Sequence, residues 1–343
     1  MTGDLPVIDI SGLIDPMGSR SDVHGVASAL DAACRRSGFF YVIGHGIDPA
    51  RVTAMRVAAA AFFALPEAQK AVIAMDRGGR AWRGWFPLGG ELTSGVADEK
   101  EGIYFGAELP ASDPRVLAGV PLCGPNLFPV EPAGLAPLVL AWIEDLTNLG
   151  QQLMSGLAVA LGLDAAWFRR ELCADPTVLF RIFRYPAGPR VAAGDDPAAS
   201  DATDAWGVGE HTDYGLLTIL ATDHIGGLEV RSPDGTWVAA PPIPGAFVCN
   251  LGDMLDRMTS GRWRSTPHRV RNGAAEDRYS FPFFFDPSWD ARIGPLDLDG
   301  DAPPDDADTR WDRLSLHVPS GTYGDHLLAK VAKVFPALGE HHL

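Results

Sequence analysis

The sequence has few basic residues for its length. Its 343 residues include 28 Lys and Arg against 44 Asp and Glu, so the formal net charge is −16. Binding to nucleic acid needs clustered positive charge for phosphate contacts, and docking on anionic lipid needs basic side chains as well. The charge balance therefore argues against a protein that binds nucleic acid or a membrane surface. It leaves a small molecule as the expected partner.

Neither the cysteines nor the apolar segments indicate an exported or membrane protein. The four cysteines are scattered and form no Cys-x-x-Cys pair, which argues against a cysteine zinc site and against a disulfide framework. The first residues contain no basic flank and no apolar stretch. The longest apolar candidate, 137–163, is interrupted by Glu144, Asp145, Gln151 and Gln152. We therefore expect a cytoplasmic protein without a membrane span. We also expect it to act as a monomer.

Hydrophobic periodicity changes near residue 175. Upstream, helical patterns surround a buried strand expected at 39–43, and the longest helix is expected over 137–163. Downstream, short β-rich runs are separated by Gly, Pro, Asn and Asp, which is typical of a sandwich or barrel. We predict one integrated catalytic unit of three parts: a mixed helical region at 1–175, a β core at 176–320, and a C-terminal helix and tail at 321–343.

The stretch 210–215 contains the most informative pair of residues, His211 and Asp213. On a strand, these two side chains would point to the same face, because side chains alternate with a period of two. His268 follows several predicted strands later, which suits a ligand from another strand of the same barrel. Two imidazoles and one carboxylate that leave coordination positions open are the pattern of non-haem iron(II) oxygenases. We predict a metal site formed by these three residues.

A second pair, Arg278 and Ser280, lies shortly after His268. On a strand their side chains share a face, and the arginine fork together with a serine hydroxyl can bind a carboxylate. The aromatic run that follows indicates a buried strand, where an arginine without a partner would be costly. A surface arginine beside a chance serine is the simpler alternative, and a His-x-Asp pair is also common by chance. The combination of the two patterns favours an active site.

These pairs belong to a longer series of motifs. The series is FFYVIGHGI at 39–47, RGWFPLG at 83–89, DEKEGIYFG at 98–106, FRYPAG at 183–188, HTD at 211–213, STPHRV at 265–270, RYS at 278–280 and TYGDHLLAKVAKVFP at 322–336. With these motifs, in this order, nearly the whole chain resembles the isopenicillin N synthase-like family of iron(II)- and 2-oxoglutarate-dependent dioxygenases. The resemblance implies a mixed α+β fold with a double-stranded β-helix (jelly-roll) core flanked by helices.

The resemblance also implies an active site that uses iron(II), 2-oxoglutarate and dioxygen. It implies that His211, Asp213 and His268 are the metal ligands. It further implies that Arg278 and Ser280 bind the distal carboxylate of 2-oxoglutarate.

Further site residues follow from the same resemblance. Tyr185 matches a tyrosine that commonly helps to hold the cosubstrate. Many plant members carry Asn where Phe183 stands, and bacterial ethylene-forming enzymes are similar at Arg181. Arg181 is therefore a further candidate for cosubstrate binding, with simple pairing to an acidic side chain as the alternative. The candidate residues of the substrate pocket, for which local packing is the alternative, are Arg83, Trp85, Tyr104 and Phe183.

The resemblance implies an oxidoreductase that hydroxylates, desaturates or cyclises a small organic substrate and releases succinate and CO2. An alternative is an oxidase like isopenicillin N synthase, which uses no 2-oxoglutarate and holds a substrate carboxylate with its Arg-x-Ser pair. A non-enzyme alternative is a jelly-roll binding protein with a vestigial metal site. The composition is typical of a high-GC bacterium, which suggests a role in secondary metabolism. We expect the C-terminal helix to close one end of the pocket.

Overall fold

The computed structural model describes residues 5–15, 19–93, 95–188, 206–298 and 321–334. The strands are β1 (Val7–Asp9), β2 (Phe39–Ile43), β3 (Gly84–Phe86), β4 (Leu92–Thr93), β5 (Val96–Ala97), β6 (Glu101–Gly106), β7 (Thr177–Tyr185), β8 (Trp206–His211), β9 (Leu217–Thr222), β10 (Leu228–Arg231), β11 (Trp237–Ala239), β12 (Phe247–Leu251), β13 (His268–Arg271) and β14 (Arg278–Asp286). The helices are α1 (Ser11–Ile14), α2 (Arg20–Arg36), α3 (Pro49–Phe63), α4 (Glu67–Lys70), α5 (Pro114–Leu117), α6 (Leu135–Ala160), α7 (Trp167–Glu171), α8 (Asp253–Met258) and α9 (Tyr323–Val334), with 3-10 turns at Ala71–Ile73 and Met75–Ala81.

Two sheets form the β core. The large sheet has the strand order β1-β2-β12-β9-β14-β7-β6-β3, and the small sheet has the order β11-β10-β13-β8. All the pairings are antiparallel except the pairing of β1 with β2. Both sheets contribute to the walls of one cavity. The predicted jelly-roll core flanked by helices is confirmed.

The N-terminal region contributes strands as well as helices to this core. β1 and β2 extend the large sheet at one edge, and β6 and β3 extend it at the other. The sequence pattern does not predict β3 to β6, because most of these strands are only two or three residues long and glycines interrupt their alternation. The domain boundaries at 175 and 320 stay predictions. Parts of the predicted core, 189–205 and 299–320, and the tail after 334 lie outside the described residues.

Helix α6 packs against β7, β9 and β14 of the large sheet. Leu146, Leu149 and Leu153 lie on its buried face at helical spacing, and each such leucine contributes about 1.5–3 kcal/mol by leaving water. At Gly150 the helix approaches so closely that an added Cβ would lie 2.4 Å from the ring of Phe285. This contact fixes the outer face of β14, so its alternate residues face the cavity.

Helix α9 lies at one end of the cavity. Tyr323 and Leu327 are buried, and Leu327, Lys330 and Val331 form part of the cavity wall. Among the described residues, no helix combines the length and the apolar character that crossing a membrane requires.

Candidate active site

A cavity of about 570 Å³ lies between the two sheets. One wall is β14, whose alternate residues point inward as a strand requires. These inward residues are Arg278, Ser280, Pro282, Phe284 and Asp286. The strand therefore brings both members of the predicted Arg-x-Ser pair to the cavity.

His211, Asp213 and His268 converge in this cavity. One ligand atom of each lies within 4.8 Å of the others. The Nε2 atoms of His211 and His268 lie 3.9 Å and 3.7 Å from Oδ1 of Asp213. The structure thus brings together the three residues that the sequence predicted as one metal site.

The expectation that His211 and Asp213 lie on one strand is wrong, although the two residues meet. β8 ends at His211, and Asp213 lies in the turn that follows. The N-terminus of α8 holds that turn, because the N–H groups of Asp253 and Met254 donate to the carbonyls of Asp213 and Gly215. The third residue reaches the site as expected from another strand, since β13 pairs His268 directly with His211 on β8.

Hydrogen bonds orient both imidazole rings. Nδ1 of His211 lies 2.8 Å from the carbonyl of Gly209, and Nδ1 of His268 lies 3.2 Å from the carbonyl of Thr266. A carbonyl only accepts, so we assign the proton to each Nδ1, and each Nε2 keeps its lone pair. Burial, followed by the neighbouring imidazole, lowers the pKa of His268 to about 4. His268 is therefore neutral at neutral pH.

Two donors orient the Asp213 carboxylate. Thr218 Oγ1 and Asn250 Nδ2 donate to Oδ2 over 2.5 Å and 2.7 Å, which leaves Oδ1 for the two histidines. Burial favours the neutral acid, but the two imidazoles and these donors outweigh it and lower the pKa of Asp213. Neither donor was identified from the sequence. A polar Thr218 within an apolar strand was the signal that could have identified one of them.

The donor set fits iron(II). Two neutral imidazole nitrogens and one carboxylate oxygen converge from a single side, and hydrogen bonds to backbone carbonyls fix the tautomers. Three protein ligands leave coordination positions open for other molecules.

A second group surrounds Arg278, which is only 3% exposed. Its guanidinium lies 4.8 Å from the centre of the Tyr185 ring, and Ser280 Oγ lies 3.4 Å from Tyr185 Oη. In the part of the chain that the structure describes, Nε and Nη1 of Arg278 have no hydrogen-bond partner. Buried donors without partners are costly, so this group suits a planar anion that enters the cavity.

Arg181 also lines the cavity but lies apart from this group. It is separated from Tyr185 by about 13 Å along β7, at about 3.3 Å per residue. Its guanidinium stacks on the ring of Tyr104 at 3.4 Å and lies 5.7 Å from the ring of Phe284. The structure therefore does not bring Arg181 together with Arg278, Ser280 and Tyr185.

Only two of the four predicted pocket residues line the cavity. Tyr104 and Phe183 do so. Trp85 points to the opposite side of the large sheet, where its Nε1 donates to Glu101, because it pairs with Ile103 and not with the inward-facing Tyr104.

Arg83 is also outside the cavity wall. It is buried at 2% exposure and donates to the carbonyl of Leu122. The contacts of Arg83 and Trp85 therefore agree with local packing, the alternative to a role in the substrate pocket.

Charged residues of both signs line the cavity beyond the predicted ones. Glu91 and Lys100 form an ion pair of 2.9 Å, and Lys100 pairs with Asp98 at 2.6 Å. Lys330 of α9 lies 5.1 Å from the centre of the Tyr214 ring. Lys100 and Lys330 lie within the motifs at 98–106 and 322–336, but their place in the cavity wall depends on contacts between separate segments.

Comparison with protein families agrees with this geometry. A family model described as the N-terminal region of non-haem dioxygenases in morphine synthesis matches residues 5–131. A model of the 2OG-Fe(II) oxygenase superfamily matches residues 178–287.

Individual relatives cover nearly the whole chain. A probable iron/ascorbate oxidoreductase of Dictyostelium discoideum is 44% identical over 97% of this chain and 95% of its own. A homoarginine-6-hydroxylase of Arabidopsis thaliana is 35% identical over 96% of this chain and 97% of its own. Among solved structures, a Neurospora crassa protein in complex with alpha-KG (2-oxoglutarate) and thymine has a TM-score of 0.76 at 25% identity, over 96% of both chains.

Proposed function

Because the chain belongs to the 2OG-Fe(II) oxygenase superfamily, we propose that His211, Asp213 and His268 bind its iron(II). The protein is a non-haem iron oxygenase that uses iron(II), 2-oxoglutarate and dioxygen to oxidise a small molecule. When bound, the iron supplies the oxidising chemistry that couples decarboxylation of the cosubstrate to oxidation of the substrate. The observation that supports the ligand set is the convergence of two Nε2 atoms and one carboxylate oxygen.

We propose that Arg278 binds the distal carboxylate of 2-oxoglutarate. Its buried donors without partners support this role, since a carboxylate would satisfy them with two parallel hydrogen bonds. The hydroxyls of Ser280 and Tyr185, which lie beside each other, would donate to the same carboxylate. This arrangement orients the cosubstrate before any chemistry occurs.

The remaining roles are orientation and exclusion of water. The Asp213 carboxylate is fixed by Thr218 and Asn250, so the metal site is organised before the ion binds. Apolar side chains from both sheets line the cavity between the two polar groups and keep water away from the reacting atoms. No side chain is assigned a role as general base.

We propose that the primary substrate is a free amino acid or a close derivative. The name of the Arabidopsis relative, a homoarginine-6-hydroxylase, supports this class. The cavity wall also carries both charges that a zwitterion needs, with Glu91 paired to Lys100 and Arg181 without an ion-pair partner among the described residues. We propose hydroxylation as the outcome, with desaturation or cyclisation as other results of the same oxidation.

We propose that the protein acts as a monomer. The three proposed metal ligands and the Arg278 group come from one chain, so the site needs no second copy. Light scattering of the purified protein tests this state. The cytoplasmic location stays a prediction.

Metal binding tests the proposed ligand set. Anaerobic titration of the wild type should give one iron(II) per chain, and His268→Ala should lose stoichiometric iron while keeping a cooperative melting curve. His24→Ala, an exposed site on α2, is the matched control and should bind iron normally. Full iron occupancy in His268→Ala would contradict the ligand set.

A further inference from the structure

Arg181 is a cation of the cavity wall without an acidic partner. In the part of the chain that the structure describes, no carboxylate forms an ion pair with it. Its guanidinium forms a hydrogen bond with the Tyr104 side chain. Among the described residues, its other polar contacts are two long hydrogen bonds of 3.4 Å each, which Nη1 donates to the backbone carbonyls of Phe105 and Phe180. Stacking on the Tyr104 ring fixes the plane of the guanidinium. Arg181 is thus oriented by its neighbours but not neutralised by them.

The register of the large sheet locates Arg181 relative to the two proposed groups. Asn250, Thr218 and Phe284 pair across β12, β9 and β14, and the first two hold the metal ligand Asp213. Ser280 pairs with Phe183 further along β14, at the level of the proposed cosubstrate carboxylate. Arg181 lies between these two levels on β7.

A cosubstrate that spans the two levels would lie over β14 and β9. Arg181 lies on β7 and pairs with Tyr104 of β6. Both strands lie on one side of β14, and β9 lies on the other side. Adjacent strands are about 4.8 Å apart, so the guanidinium borders the cosubstrate's path and faces the space beside it. That space is where a second molecule would approach the metal.

A second cation strengthens the positive field at this position. Arg83 lies behind Gly106, fully buried, and its Nε and Nη1 have no hydrogen-bond partner among the described residues. Burial, followed by the charge of Arg181, lowers the pKa of Arg83 to about 9, so Arg83 is still charged at neutral pH. The acids near these two guanidinium groups already have donors. Asp286 accepts from Tyr323, and Glu108 accepts from Asn126. Glu91, which the Tyr104 hydroxyl links to Arg181, accepts from Tyr104 and pairs with Lys100. Two guanidinium groups therefore act together on this side of the cavity.

We propose that Arg181 binds a carboxylate of the primary substrate, so that the substrate is recognised as a carboxylic acid beside the cosubstrate. This inference rests on the proposed function. It reassigns Arg181 from the cosubstrate to the substrate, and it makes Arg181 a specificity-determining residue. Both the substrate and 2-oxoglutarate would offer a carboxylate to Arg181. The experiment distinguishes these two sources.

The test compares matched pairs of a free acid and its primary amide. Binding is measured by calorimetry on protein that contains Mn(II) in place of iron and saturating 2-oxoglutarate. The first pair is L-homoarginine and L-homoargininamide, followed by the same pairs of other amino acids and of aliphatic and aromatic acids. We expect at least one acid to bind the wild type about ten-fold or more tightly than its amide, as a charge-assisted hydrogen bond predicts.

Arg181→Gln should abolish this preference while the affinity for 2-oxoglutarate stays within about two-fold, and Arg181→Lys should restore it only in part. Arg184→Gln is the matched control, because Arg184 lies on the same strand but pairs with Asp277 and Glu101 outside the cavity. That control should keep the preference of the wild type. Melting curves of all variants verify that they fold.

Three outcomes would overturn the inference. They are no preference for an acid in any wild-type pair, a preference that survives in Arg181→Gln, and a ten-fold or larger loss of 2-oxoglutarate affinity in Arg181→Gln, which would assign Arg181 to the cosubstrate. Failure of the proposed function differs from all three. In that case the wild type would bind neither Mn(II) nor 2-oxoglutarate. The affinities for the acid and for its amide would still be compared in that protein.

Discussion

At the scale of single residues, the site depends on side chains that hold other side chains. Asp213 accepts hydrogen bonds from Thr218 and Asn250, and each imidazole is oriented by a backbone carbonyl. Such outer contacts keep a ligand in one orientation in the absence of the metal, so less ordering is needed when the ion binds. Two predictions concern residues of this kind and the buried arginine.

Asn250→Ala should weaken iron(II) binding about ten- to hundred-fold, because removal of an outer hydrogen bond to a ligand has a cost of this size. Anaerobic titration with iron(II) measures the change. Asn148→Ala, at an exposed position of α6, is the control and should bind iron like the wild type. Unchanged affinity in Asn250→Ala would mean that Thr218 alone fixes Asp213.

Arg278→Gln should raise the dissociation constant of 2-oxoglutarate about ten- to hundred-fold, since a charge-assisted hydrogen bond contributes about 1.5–3 kcal/mol. Arg278→Lys should recover only part of the loss, because an ammonium cannot reproduce the planar fork. Titration of the Mn(II)-loaded protein measures both constants. The exposed Arg169→Gln should behave like the wild type, and normal 2-oxoglutarate binding by Arg278→Gln would remove Arg278 from the cosubstrate site.

At the scale of elements, β14 links the cavity to α6 on one side and to α9 on the other. Asp286 at the end of β14 accepts a 2.5 Å hydrogen bond from Tyr323 of α9 and another from the N–H of Leu216. Gly215 allows this arrangement, because a Cβ at that position would lie 1.4 Å from Oδ1 of Asp286. The buried carboxyl therefore ties helix α9 to the turn that contains Asp213.

Asp286→Asn should stabilise the fold at neutral pH. Burial raises the pKa of Asp286 from 3.8 to about 7, so the unfolded chain ionises it near pH 4 and the folded chain near pH 7. The wild type consequently loses stability as the pH rises through this window and regains none above it. Asn cannot ionise, so the stability of the variant relative to the wild type should grow by a few kcal/mol, roughly, between pH 4 and pH 7.

Urea unfolding of both proteins at intervals from pH 4.5 to pH 8, on the order of one half unit apart, measures this difference. Asn keeps an oxygen that can accept from Tyr323, so the contact with α9 is preserved. A difference that shrinks as the pH rises would show that Asp286 is ionised in the folded protein.

At the scale of the whole molecule, one hydrophobic core joins the N-terminal region to the β core. Buried residues of α2, α6, β7, β9, β12 and β14 belong to the same cluster. A second cluster faces the cavity and includes Phe39, Tyr104, Phe183 and Tyr185. Both parts of the chain therefore contribute to the walls of one cavity.

Turnover of the complete enzyme should depend strictly on 2-oxoglutarate, with one succinate and one CO2 released per coupled oxidation. Oxygen uptake with iron, ascorbate and a panel of amino acids, with and without 2-oxoglutarate, measures this dependence. Slow decarboxylation of labelled 2-oxoglutarate without substrate should be visible and should disappear in Arg278→Gln. Substrate turnover in the absence of any keto acid would instead support an oxidase of the isopenicillin N synthase type.

The sequence by itself determined the elements whose pattern is local. The apolar spacing of α2 and α6 and the unbroken runs of β2, β7 and β14 are properties of neighbouring residues, so they could be predicted closely. The grouping of His211, Asp213 and His268 could also be predicted from the sequence, because a metal site needs particular side-chain types. The Arg278 and Ser280 pair followed from strand alternation, which β14 obeys.

Only the tertiary structure decided which residues meet across segments. Asp213 faces His211 because the N-terminus of α8 holds a turn, and no strand pattern encodes that contact. Trp85 leaves the cavity and Tyr104 enters it because the register of β3 with β6 decides the face on which each lies. The partners of Arg181 come from β6 and β14, far apart in the chain. Local preferences act over a few residues, whereas register and helix packing are set by long-range contacts that the chain makes only when it folds.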